Sequence, residues 1–178
     1  MASQTRLPAW PLWITVALVI LIVNAMVFQK EHLLSEGDTV LLPLAPRDPR
    51  SLLQGDFMRL RYELTRQLER THKSQRSYTG YALLRLNENG VGEYVQSHES
   101  PPDLQPNERL IYFRKRGDHV RFASADYFFQ EGHGEYYEQA AFGELKVSRS
   151  GQALLIGVRD RRYQRLDAPD GSSPASRQ

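Results

Sequence analysis

Glu131-Gly132-His133-Gly134-Glu135 gathers carboxylate oxygens and an imidazole in one short stretch. Such groups could ligate a cation, but their spacing matches no zinc pattern and the glycines leave them unheld. A solvated loop is the plainer reading. The other histidines, His32, His72, His98 and His119, are scattered. Nucleophilic chemistry would need a serine and a base. Ser51 lies just before the Gly55-Asp56 pair, with Lys73, Lys115 and Lys146 downstream. Each lysine is surrounded by polar or charged residues, whereas a lysine base needs burial to lower its pKa. Asp56 could instead accept backbone N–H groups or pair with an arginine. With Arg47, Asp48, Arg50 and Glu131 it forms the candidate binding set.

Other chemistries are excluded more simply. The chain has no cysteine, so it has no disulfide scaffold, thiolate metal site or cysteine nucleophile. It contains no Gly-rich phosphate loop and no Gly-x-Ser-x-Gly elbow. Aromatic residues interleaved with Arg114, Lys115, Arg116 and Arg121 could stack a single nucleic-acid strand. The net charge of +2 lacks the basic excess of such a binder. The residues therefore assign no catalytic group, no metal, no cofactor and no nucleic-acid partner.

The elements that must hold these residues fall into two contrasting parts. Leu7 to Gln29 carries no charge and is hydrophobic except at Pro8, Pro11, Thr15, Asn24 and Gln29. A helix of about 20 residues crosses the roughly 30 Å of a bilayer core. Trp10 and Trp13 suit the headgroup region, and the prolines sit where a helix begins. Residues 1–6 would be a short tail, 7–29 the anchor and 30–35 a linker. A cleavable signal peptide is the competing reading, with Val23-Asn24-Ala25 as its cleavage signal. The apolar run continues past that point through Phe28, which favours an uncleaved anchor. Arg6 before the span, against Lys30, Arg47 and Arg50 after it, does not fix the orientation. A very short tail before a large polar domain favours tail in, domain out.

Beyond residue 36 the apolar pattern has period two. Thr39 to Leu44 reads as a strand, and Phe57 to Leu64 as another, with Met58, Leu60, Tyr62 and Leu64 on its inner face. Three hairpins follow, turning at Asn87 to Gly90, Lys115 to Asp118 and Arg149 to Gln152. Helix is scarce: Thr65 to Lys73, Glu135 to Ala141, and a short turn from Asp48 to Gly55. Residues 167–178 read as a disordered polar tail. The expectation is a mainly β protein: an N-terminal transmembrane helix, then a β-rich domain over residues 36–166. That domain would have seven or eight strands and one or two short helices, as a barrel or a sandwich.

Gly55-Asp56-Phe57-Met58-Arg59-Leu60-Arg61-Tyr62 reads G-D-F-x-x-L-x-Y. It resembles the signature of the GDYXXLXY protein family, with Phe57 where that pattern has Tyr. Pro43 to Gln54, Phe128 to Gly132, Ala141 to Leu145 and Gly151 to Val158 also look like that family. The resemblance spans roughly residues 12 to 165. It implies a membrane-anchored bacterial protein and transfers no catalytic residue. Gly55, Asp56, Phe57, Leu60 and Tyr62 read as structural: a left-handed glycine, a backbone-pairing carboxylate and inward-facing strand residues.

A weaker likeness is to membrane-anchored signal peptidases, where a Gly-Asp pair follows the nucleophile. Positions 43 to 50 hold no serine, and Ser51 stands too close to Gly55. The leading expectation is a single-pass protein of the bacterial inner membrane with a periplasmic domain. Its partner would be another inner-membrane or envelope protein. A hydrolase related to the anchored peptidases, or a small-ligand module, stands as the alternative.

Overall fold

The computed structural model describes residues 10–45, 57–129 and 134–167. The chain divides into two units, residues 1–36 and 37–178. The first holds one helix, α1, Trp10–Glu36, 27 residues long. At 1.5 Å per residue it measures about 40 Å. It is long and apolar enough to cross a membrane. Its apolar side chains from Ile14 to Phe28 are exposed all round, without the single stripe of a helix that docks on a core. Asn24 quiets its amide by donating to the Ile20 carbonyl at 2.8 Å. The helix runs on through residues 30–35, the stretch expected to be a linker. One residue, Gly37, separates it from the first strand.

The second unit is mainly β. In chain order it contains β1 Asp38–Pro43, β2 Phe57–Arg59, α2 Glu63–Thr71, β3 Ser77–Leu86 and β4 Gly92–His98. There follow β5 Glu108–Arg116, β6 His119–Arg121, β7 Asp126–Phe128, α3 Gly134–Tyr137, β8 Phe142–Val147 and β9 Ala153–Arg159. The strands form three antiparallel sheets: β1-β8-β9, β4-β3-β5-β6 and the ribbon β2-β7. They do not close, so the barrel alternative falls. The two larger sheets share one core with α2: Val40, Leu42 and Leu145 come from the first, Leu84, Ile111 and Phe113 from the second, and Leu68 from the helix.

The three expected hairpins all form, as β3-β4, β5-β6 and β8-β9. The first turns because the Asn87 side chain accepts the N–H groups of Asn89 and Val91. The third hairpin also ties two sheets together. Gly151 takes φ +84°, and its carbonyl accepts the Tyr112 N–H of β5 at 2.7 Å. A side chain there would meet both the left-handed backbone penalty and the Tyr112 nitrogen.

The clearest correction concerns Phe57 to Leu64. The alternating burial is as expected, with Met58, Leu60, Tyr62 and Leu64 all inside. Only Phe57–Arg59 is strand, and α2 begins at Glu63. Leu64 and Leu68 lie one helical turn apart and face the same core, so a helical stripe begins where the period-two pattern was still running. Glu63 in the first turn favours the helix start. The expected helix Glu135 to Ala141 is shorter, ending at Tyr137. The short turn Asp48 to Gly55 and the tail beyond Asp167 lie outside the described residues.

Candidate functional site

The described part of the motif is a clamp between distant segments. Phe57 of β2 stands opposite Phe128 of β7, with ring centroids 5.7 Å apart. Arg59 pairs with Asp126 at 3.2 Å in the same ribbon. Leu60 is buried, and its N–H donates to the Ala125 carbonyl. Tyr62 is buried too, and its hydroxyl donates to the Ser124 carbonyl at 3.0 Å. Burial pushes the Tyr62 hydroxyl pKa up. Its ring lies 5.1 Å from that of Phe122 and covers Gly143 of β8. Gly55, Asp56, Arg47, Asp48, Arg50 and Glu131 lie outside the described residues.

A cleft of about 320 Å³ opens where β1, α2 and β4 meet. Its lining is Pro43, Glu63, Leu64, Gln67, Gly92, Glu93 and Tyr94. Glu63 and Glu93 give it acidic character, and Arg66 stands 3.9 Å from Glu63. Among the described residues no three His, Asp or Glu gather as metal ligands would. The cleft can accept a small cationic or hydrogen-bonding group through Glu93, Gln67 and the tyrosine.

Tyr94 also leads into a polar chain. Its hydroxyl meets Ser97 Oγ at 2.9 Å, Ser97 Oγ meets His72 Nε2 at 3.0 Å, and His72 Nδ1 meets Gln75 Oε1 at 2.8 Å. With the amide oxygen of Gln75 accepting, His72 Nδ1 is the donor of that bond. The order serine–histidine–amide is that of an activated nucleophile. Here, however, the histidine is buried and its ring stacks on Tyr78 at 4.0 Å. The chain therefore pins the end of α2 to β4, and both ring nitrogens of His72 are engaged in it. Sequence reasoning left His72 among scattered histidines; Gln75 three residues on was the only local hint.

A model of the GDYXXLXY protein family matches residues 19–158. The chain belongs to the GDYXXLXY protein family. No curated protein and no solved structure matches it. In this GDYXXLXY protein the final Tyr of the signature is Tyr62, the residue that joins α2, the β6-β7 connection and β8. The matched region also contains Gly143, on which that tyrosine rests.

One sequence reading needs revision for this GDYXXLXY protein. Lys115 was placed among polar surroundings; it is fully buried, and its Nζ donates to the Gln75 and Gly117 carbonyls at 2.7 and 2.5 Å. Lys146 donates likewise to Gly37. Both ammonium groups serve the backbone. The four arginines near the C-terminal end of the domain, Arg159, Arg161, Arg162 and Arg165, differ in their surroundings. Arg159 grips the buried carboxylate of Glu144 through two hydrogen bonds of 2.8 and 3.1 Å and also reaches the Tyr163 carbonyl. The hydrogen bonds to Glu144 raise the Arg159 pKa. Arg165 donates to Ile156 and pairs with Asp167. Only Arg161 and Arg162 stay exposed.

Proposed function

We propose that the protein is a single-pass accessory module of the bacterial inner membrane. Its β domain lies in the periplasm and binds another inner-membrane or envelope protein. The observation that carries this reading is α1: an apolar helix of 27 residues, joined by Gly37 alone to a domain with its own core. A lipid-facing helix must satisfy its backbone internally and present apolar side chains on every side, as α1 does. A non-catalytic role accords with the described Ser97, His72 and Lys115, whose polar atoms are engaged within the fold. The test is a C-terminal reporter fusion combined with cross-linking in cells. The proposal expects the chain to resist alkaline extraction from membranes, the reporter to be active only outside the cytoplasm, and a membrane or envelope protein to be captured. Release by extraction would end the anchor reading, and a cytoplasmic reporter would end the topology.

The cleft beside Glu63 and Glu93 favours a second reading, a small-ligand module. Native mass spectrometry of the protein purified from cells would show a co-purified small cation or amine. A mass equal to the bare chain counts against it.

A further inference from the structure

On the described strands, the arginines away from the turn end of the β5-β6 hairpin are ion-paired. Arg59 meets Asp126, Arg85 meets Glu108, Arg109 at the start of β5 meets Asp38 and Arg159 meets Glu144. The turn end of that hairpin is different. Arg114, Arg116 and Arg121 are exposed, and no carboxylate among the described residues pairs with them. The register sets Arg114 directly opposite Arg121 and Arg116 directly opposite His119. Opposed residues in an antiparallel pair share a face, as do residues two apart on one strand. These four basic side chains therefore form a two-by-two grid on the outer face. The next strand continues that face with exposed Thr79 opposite Arg114 and Ser77 opposite Arg116. The opposite face, with Phe113, Lys115 and Val120, is buried.

Like charges directly opposite each other destabilise a sheet, so the grid carries a cost that an external anion relieves. Its cations are the guanidinium forks of Arg114, Arg116 and Arg121, which match phosphate oxygens two at a time. We propose that the outer face of β5-β6 binds the phosphate groups of anionic phospholipids at the bilayer surface. This rests on the anchored reading above, because α1 is what tethers the domain near a headgroup layer and raises the local phosphate concentration. The whole chain is only +2, so the attraction comes from this local grid.

The test uses the full chain in nanodiscs of phosphatidylcholine alone or mixed with phosphatidylglycerol, footprinted with an arginine-specific dicarbonyl reagent. Arg114, Arg116 and Arg121 should react several-fold more slowly in the phosphatidylglycerol discs, and added salt should restore their rates. Exposed Arg70 and Arg161 should react equally in both. Equal rates at the grid in both discs overturn the proposal, as does equal slowing at Arg70 and Arg161. Protection of the grid by an added single-stranded oligonucleotide, with none from anionic lipid, reassigns the face to nucleic acid and also overturns it. A chain that enters neither disc defeats the anchor reading instead. The footprint is then repeated with phosphatidylglycerol vesicles added, where unchanged grid rates defeat the lipid proposal by itself.

Discussion

The ring of Tyr62 rests on the backbone of Gly143: a Cβ built on that glycine would stand 2.7 Å from Tyr62 Cε1. Tyr62 precedes α2, whereas Gly143 lies in β8 between Leu42 of β1 and Val158 of β9. The glycine provides the room that lets the tyrosine ring approach the strand backbone so closely. Both polar and apolar parts of the tyrosine are then used, the hydroxyl on Ser124 and the ring on Phe122 and Gly143.

Gly143→Ala should therefore destabilise the domain by about 1–3 kcal/mol through overpacking, since a buried ring cannot swing aside freely. Tyr62→Phe, which keeps the ring and loses one hydrogen bond, should cost only about 1 kcal/mol. Urea denaturation of the full chain in detergent compares them. A Gly143→Ala variant as stable as the parent would show that the ring has another place to go.

Glu144 and Arg159 form the most enclosed ion pair on the described strands. Glu144→Gln leaves the guanidinium beside a neutral amide and should cost about 2–4 kcal/mol. Because Arg159 keeps part of its side chain in water, Arg159→Met should cost less than Glu144→Gln. The double variant should fall short of the sum of the two, since they share one interaction. Strict additivity in the denaturation free energies would contradict the coupling.

Four tyrosines make the fold sensitive to alkali. Burial pushes Tyr62, Tyr78 and Tyr137 up, and burial with the neighbouring Tyr137 pushes Tyr127 up to about 12. Their ordinary value is 10.0, so the unfolded chain loses its phenolic protons first. Their contribution to stability is complete below pH 10 and is lost as pH rises through the folded-state values. Circular dichroism followed alongside tyrosinate absorbance should show unfolding and ionisation together above that pH. Tyr127→Phe should reduce the loss, and ionisation of these tyrosines at pH 10 without unfolding would contradict it.

Ser97 is a structural pin between His72 and Tyr94. Ser97→Ala should cost about 1 kcal/mol by leaving His72 and Tyr94 short of a partner. A fluorophosphonate probe should leave the parent protein unlabelled. Labelling that disappears in Ser97→Ala would make the serine–histidine–glutamine chain a nucleophile.

The residues themselves were enough for much of the organisation. The apolar helix, the first strand and the three hairpins follow from local causes: an uncharged run, period-two burial and turn residues with their own hydrogen bonds. The motif shows where local reasoning stops. Met58, Leu60, Tyr62 and Leu64 were legible as an inward set because burial alternates along them. The change from strand to helix inside that set was not, because the same apolar positions fit both periods until Leu68 adds the helical spacing.

The sequence alone determined the long apolar helix, the β-rich class and the family signature, since each depends on neighbours along the chain. Tertiary structure decided that the sheets stay open, that His72 joins Ser97 twenty-five residues away, and that Lys115 is buried. It also decided which arginines find carboxylates and which are left facing outward on β5-β6. Pairing of charges and closure of sheets depend on strands brought together across long separations. No local pattern encodes the register in which they meet.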